Sequence, residues 1–348
     1  MRQGFAYGRA TRLEDALAAH SAGTAWLAGG TELLNWLRLG IQQPQRVLEI
    51  GGLTALHGIR REGDDIVIGS LATLNEIGEN PLVRELAPVL SQACLLAASP
   101  QIRNRATLGG NILQKTRCAY FRTDDPVPWP CNKRVPGSGC AAREGHHERL
   151  AIFGWTDVCV ATQPSDPAVA LACLDATIQV AGPGGTRSIA AGDFHVTPEM
   201  VRAAPGSAEE KARDEALIEN RLAPTELITA FRVPVGPRAR HSAYLKVRER
   251  QSYEYAMVAV AAAIELDGER VRSSRLVLGS VAQKPWRLET AERLLSGKPV
   301  AGDAARAAAG EALRAARPLA HNGFKVALAA NAVARAIELA AGVKGAAT

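Results

Sequence analysis

Thr107-Leu108-Gly109-Gly110-Asn111 opens a run that closes at Pro164-Ser165-Asp166, and four of the six cysteines, Cys118, Cys131, Cys140 and Cys159, lie between these two turns. Adjacent glycines let a backbone come close to a bulky ligand and leave N–H groups for an anion. The intervening text is rich in turn formers, as in Arg134-Val135-Pro136-Gly137-Ser138-Gly139-Cys140, and has neither a helical nor a strand period. Loops beyond about 12–15 residues without secondary structure are usually functional or disordered. This one is expected to need something to hold it, and a metal centre would supply the missing core.

A second glycine turn precedes it. Ala25-Trp26-Leu27-Ala28 reads as a strand that meets Gly29-Gly30-Thr31 and then a helix carrying Leu33, Leu34, Trp36 and Leu37. A strand, a tight turn and a helix start present backbone donors to a phosphate. The text is not the GxGxxG dinucleotide fingerprint, and no Walker sequence is present. Upstream, Thr11-Arg12-Leu13-Glu14 reads as a capping box opening a short helix to about His20.

Further along, Arg46–Ile50 and Asp65–Ile68 are strand-like, and Pro81 to Ala98 reads as one long apolar-faced helix carrying Cys94. Ala168 to Ala176 is a further apolar helix carrying Cys173, and both thiols read as core. A hairpin over Thr177–Ile189 turns at Pro183-Gly184-Gly185; the charged, small-residue text from Met200 to Arg221 reads as a mobile insertion or surface helix. From about Pro237 come three strands, Ala243–Lys246, Met257–Leu266 and Ser274–Val281, and then alanine-rich helices. The fold class is α+β.

The chain's 348 residues allow two or three domains, and 47% hydrophobic with 22% charged residues is ordinary for a globular protein. The net charge of +6 is scattered without a run of five basic residues, so it reads as a solvated surface and no nucleic-acid partner is expected. No segment approaches the roughly 18 apolar residues of a membrane span, and Met1–Phe5 lacks the apolar core of an export signal.

The gaps between the four loop cysteines are twelve, eight and eighteen residues, far looser than the CxxC pairs of zinc ribbons or the tight run of bacterial ferredoxins. Spacing alone leaves zinc, an iron–sulfur cluster, two disulfides or no bond open. His146 and His147 share the loop and could ligate zinc, but His-His-Glu in a polar turn reads as solvated. Arg117, Arg122, Lys133 and Arg134 make the surroundings of Cys118 and Cys131 electropositive. Such a setting offsets the negative charge of a thiolate-ligated cluster, which favours iron–sulfur over zinc.

Four ordered motifs carry a resemblance over nearly the whole chain. Ala28–Leu34, Thr107–Asn111, Ser252-Tyr253-Glu254-Tyr255-Ala256-Met257-Val258 and Leu278-Gly279-Ser280-Val281-Ala282-Gln283-Lys284-Pro285 resemble the FAD-binding medium subunits of the xanthine dehydrogenase (molybdenum hydroxylase) family. Gly279-Ser280 departs from that family's usual Gly-Gly. The insertion from Arg117-Cys118 through Cys131-Asn132-Lys133-Arg134 to Cys140 is similar to that of the 4Fe-4S-containing flavoprotein subunits of periplasmic aromatic aldehyde oxidoreductases. The related 4-hydroxybenzoyl-CoA reductase subunits carry such a loop too.

The resemblance implies a two-lobed FAD-binding domain of the vanillyl-alcohol-oxidase type over residues 1–234, with a 4Fe-4S loop at about 117–160. A C-terminal domain of antiparallel sheet and helices would follow over 235–348. It implies that Leu27, Ala28, Gly29, Gly30, Thr31, Glu32, Leu33 and Leu34, with Thr107, Gly109, Gly110 and Asn111, line the FAD pyrophosphate and ribityl chain. Ser165 and Asp166 would complete those contacts. Lys246 would face flavin or phosphate, the other reading being a solvent-facing charge. Cys118, Cys131, Cys140 and Cys159 would hold the 4Fe-4S cluster. No catalytic acid or base is expected on the chain.

The implied partners are a molybdenum-cofactor large subunit and a 2Fe-2S small subunit in a heterotrimer, with an external electron acceptor. The compartment would be periplasmic by co-export with a signal-bearing partner, or cytoplasmic. Three rival functions are a reductase of the 4-hydroxybenzoyl-CoA type, a zinc-bearing scaffold without flavin from another class, and an isolated flavin reductase of the cell-wall type on the same FAD fold, which would leave the four cysteines without a use.

Overall fold

The computed structural model describes residues 4–21, 23–300 and 303–343. Its first lobe is a three-stranded parallel sheet in the order β1 (Ala6–Arg9), β3 (Arg46–Glu49), β2 (Thr24–Leu27), with helices Leu13–Ala19 and Leu33–Arg38 as the connections. The first of these helices starts at Arg12 as N-cap, with no side-chain cap bond. Glu14 then sits one position too early to reach back, so the capping box expected from Thr11 does not form.

The second lobe is a five-stranded antiparallel sheet in the order β4 (Ile59–Glu62), β5 (Asp65–Gly69), β8 (Leu227–Pro234), β6 (Thr177–Gly182), β7 (Gly185–Ala190). Its helices carry the apolar faces read from the sequence, with one difference. The stretch from Pro81 is two helices, Pro81–Leu86 and Pro88–Leu96, broken at Ala87 (φ −146°, ψ 57°). A residue before proline is disfavoured in the helical region, and Pro88 restarts the helix at its first turn, where a missing N–H costs nothing. Cys94 and Cys173 are fully buried, and burial pushes both thiols far up.

The third sheet is antiparallel, β12 (Trp286–Arg287), β11 (Arg270–Gly279), β10 (Val258–Asp267), β9 (Ser242–Val247), and is backed by helices Glu289–Leu295, Asp303–Ala312 and Phe324–Ala340. Side chains alternate across a strand, and β10 uses both faces. Val258, Val260, Ala262 and Ile264 join the core shared with these helices, whereas Ala259, Ala261 and Ala263 join the core of the second lobe. Small residues on that second face let helices Pro88–Leu96 and Asp166–Cys173 pack directly on the sheet. Gly279 continues the same logic, because a Cβ there would stand 2.6 Å from Val169 Cγ2.

Lys325 fastens this domain to the chain around Thr107–Asp166. It is fully buried on the last helix, and its Nζ donates to the carbonyls of Ser280 (2.6 Å), Leu150 (2.9 Å) and Arg149 (3.3 Å). Replacing it by methionine keeps the volume but leaves buried acceptors unpaired, at roughly 1–3 kcal/mol for a group so stranded. Lys325→Met is therefore expected to lower unfolding stability by about 2 kcal/mol, read as a lower urea midpoint with an unchanged slope.

Candidate functional site

A cleft of about 390 Å³ runs along the open edge of β2 and over both glycine turns to the Leu222–Ile228 segment that leads into β8. Ala28, Gly29, Gly30, Thr31, Glu32 and Leu33 line it from the first turn, and Thr107, Gly109 and Gly110 from the second. The turns stand back to back. A Cβ on Gly29 would lie 1.8 Å from the Arg105 carbonyl oxygen, and Gly30 has φ +77°. Only glycine lets the first turn pass this close.

The turns divide the work in a way the sequence did not show. The N–H groups of Gly29, Gly30, Thr31 and Glu32 have no acceptor among the described residues, so four consecutive donors are available to an anion. In the second turn Gly109 N–H donates to Ser70 O (2.9 Å) and Gly110 N–H to Thr107 Oγ1 (3.2 Å). Its glycines therefore provide closeness rather than the free donors expected of them. His20 Nδ1 and Gln42 Oε1, in residues that also line the cleft, are buried without a partner. An unpaired buried polar atom is costly, and a bound dinucleotide with amine and hydroxyl groups would satisfy both. The residues present thus fit FAD. Neither His20 nor Gln42 was legible beforehand, because no motif surrounds them.

Several expected contacts sit outside the cleft wall. Leu27 packs with Ala25, Leu33 and Val47, while Leu34 is exposed on the helix surface. Asn111 Oδ1 accepts from Ser165 Oγ (2.6 Å), which ties the second turn to the Ser-Asp turn. Asp166 accepts from Lys246 Nζ and from Tyr244 Oη, each at 2.8 Å, and Lys246 also donates to Leu96 O. Lys246 is therefore neither solvent-facing nor in the wall of the open cleft. It forms a buried ion pair joining helix Asp166–Cys173 to β9.

The four loop cysteines come together. Cys118, Cys131, Cys140 and Cys159 line one small pocket floored by Phe121, Ala142, Val160 and Ala161, and all four are free thiols. Cys131 and Cys140 face each other across an isolated antiparallel bridge. The Pro136–Gly139 text makes that reversal, with Gly137 at φ +83° and Gly139 at φ +106°. Beyond helix Leu108–Ile112, the run up to Ser165 has only a single 3-10 turn, Ala141–Arg143. It holds its shape through side chains: Arg134 donates to the carbonyls of Leu39, Phe121 and Thr123, and Arg122 donates to Lys115 O and Thr116 O.

Burial pushes Cys118 up to about 12 and Cys140 up to about 11, and raises Cys131 as well. Backbone N–H groups work against it, from Phe121 and Tyr120 at Cys118, Lys133 and Arg134 at Cys131, and Val160 and Ala142 at Cys140. Amides aimed at sulfur favour thiolate. Among the described residues no group of three or more His, Cys, Asp or Glu side chains is placed to hold a metal ion. Four thiols lining one pocket are the kind of donor set that an iron–sulfur cluster would take.

The two places are connected. Glu32, in the cleft wall, accepts from Arg122 Nη1 (2.9 Å) and Trp36 Nε1 (2.7 Å), and Arg122 N–H in turn donates to Cys118 O (3.0 Å). His147 corrects the reading of both histidines as solvated. His146 is exposed, but His147 is buried, stacked on His321 and bonded to Ala142 O and His321 N–H.

Comparison with known proteins agrees with this geometry. Residues 3–236 match the FAD binding domain in molybdopterin dehydrogenase, and residues 243–340 match the CO dehydrogenase flavoprotein C-terminal domain. The chain is 40% identical over 333 residues to the aldehyde oxidoreductase FAD-binding subunit PaoB of Escherichia coli K12, covering 95% of this chain and 96% of that protein. It is 27% identical to the carbon monoxide dehydrogenase medium chain of Hydrogenophaga pseudoflava, covering 90% and 88%. The solved carbon monoxide dehydrogenase from H. pseudoflava that lacks the Mo-pyranopterin moiety superposes with a TM-score of 0.73 at 24% identity, over 98% of this chain and 99% of that one. The chain belongs to the FAD-binding subunits of the molybdenum hydroxylase family of oxidoreductases.

Proposed function

We propose that this chain is the FAD- and 4Fe-4S-bearing electron-transfer subunit of a molybdenum-dependent aldehyde oxidoreductase. The observation that carries the reading is the gathering of four free thiols in one pocket, linked through Arg122 and Glu32 to the cleft where FAD fits. The 40% identical relative is named as an aldehyde oxidoreductase subunit, which favours aldehydes as the substrate class of the complex.

Within this reading, Gly29 to Glu32 bind the pyrophosphate through their four free amides, and Thr107, Gly109 and Gly110 form the opposite wall. Asn111, Ser165, Asp166 and Lys246 hold that wall from behind. Cys118, Cys131, Cys140 and Cys159 ligate the cluster. The bound groups supply the redox chemistry, pairing single electrons from the 2Fe-2S clusters of a small subunit for release to an external acceptor. A molybdenum-bearing large subunit oxidises the substrate, and this chain contributes no acid or base. No helix among the described residues is long and apolar enough to cross a membrane.

Gly29→Ala should leave the protein with less than about a tenth of the wild-type FAD content, because its Cβ meets a backbone carbonyl that cannot swing aside. Flavin absorbance per chain reads this directly, and a fully loaded variant would move the dinucleotide elsewhere. Cys131→Ser should lower iron and labile sulfide while FAD stays bound. Iron content equal to that of wild type would remove Cys131 from the ligand set. In the assembled complex, reduction by benzaldehyde-type substrates is expected; turnover of aryl-CoA thioesters instead would assign the chain to the reductive branch.

A further inference from the structure

The charged text from Met200 to Arg221 does more than cover the surface. After helix Ala208–Asp214 the chain turns inward, and Glu215 and Glu219 are buried. Glu219 Oε1 accepts from Lys133 Nζ (2.9 Å) and from Thr116 N–H (3.0 Å), while its Oε2 lies 3.8 Å from Lys115 Nζ. Lys133 Nζ also donates to Ala216 O at 2.6 Å. Lys133 lines the same pocket as the four cysteines, and its charge acts on the sulfurs of Cys159 and Cys131. The Lys133 and Glu219 side chains are only 5% and 8% exposed. Water screens such charges little, so each is felt over several ångströms.

We infer that Lys133 is the cation that sets the reduction potential of the centre held by these thiols, and that Glu219 is the positioning residue that fixes it there. The inference rests on the iron–sulfur reading above. Four thiolates around an iron–sulfur core make a negative centre, and one-electron reduction makes it more negative, so a nearby positive charge favours the reduced form and a negative charge opposes it. Lys133 and Glu219 have opposite signs and should move the potential in opposite directions. A purely structural pair would not do so.

The test uses the full chain, as purified with whatever subunits accompany it. Iron and sulfide are quantified, and the cluster is titrated with a low-potential chemical reductant while its reduced-state paramagnetic signal is followed. Lys133→Met should lower the midpoint potential and Glu219→Gln should raise it, each with iron content kept. The double variant, which removes one charge of each sign, should return close to wild type. Single variants that shift together, or not at all, at full iron content would overturn the inference. So would loss of iron from Lys133→Met alone, which would make the lysine a prop of the loop. Wild-type protein without iron and sulfide would instead overturn the cluster reading itself, a result distinguishable from the others because it precedes any substitution.

Discussion

Everything around the cleft follows from one contact, the approach of the Gly29 backbone to the Arg105 carbonyl. That approach puts the turn after β2 directly against the chain that enters Thr107, and so brings the parallel lobe and the antiparallel lobe together with no side chain between them. The division of labour between the turns is a consequence. Donors of the second turn are spent on Ser70 and Thr107, which fixes its position, and donors of the first are left over. The first turn thus keeps four amides with no protein acceptor among the described residues, a set that an anion would suit.

The cysteine loop depends on the same frame. It has almost no secondary structure, so its backbone polar groups must be satisfied one at a time. Arginines do much of this: Arg134 reaches three carbonyls on two segments, and Arg122 reaches two carbonyls and the Glu32 carboxylate. A guanidinium suits the task because its five donors lie in a fixed plane and its charge does not titrate away. The loop's own apolar cluster, Phe121, Leu150 and Val160 with the thiols, is small. Side-chain bonds therefore carry a larger share of its order than they do in the three sheets.

Much of this was legible in the sequence, and what was not has physical causes. The diglycine after β2 announces itself because Gly30 takes a positive φ and Gly29 passes against a backbone carbonyl, which glycine alone tolerates, and Met257 to Leu266 was readable as a strand. The break at Ala87 was also legible in principle, since Pro88 follows it. What stayed hidden was pairing over distance. Nothing local to Lys133 points to Glu219, nothing local to Lys246 points to Asp166, and His147 looked like a solvated turn residue until His321 covered it. The donor accounting of the second turn was hidden for the same reason, because Ser70 lies far away along the chain.

The burial of Glu219 bears on how such a loop could be moved between proteins. A segment that gathers four thiols looks like a cassette, bounded by two turns and ready for grafting into a relative that lacks it. Here the cassette is incomplete, because it carries Lys133 inward while the matching carboxylate arrives from a stretch encoded well downstream. A graft restricted to residues 117–160 would import a buried ammonium without its counter-ion. Transplantation would need both pieces of chain, and Glu32 to receive Arg122 as a third.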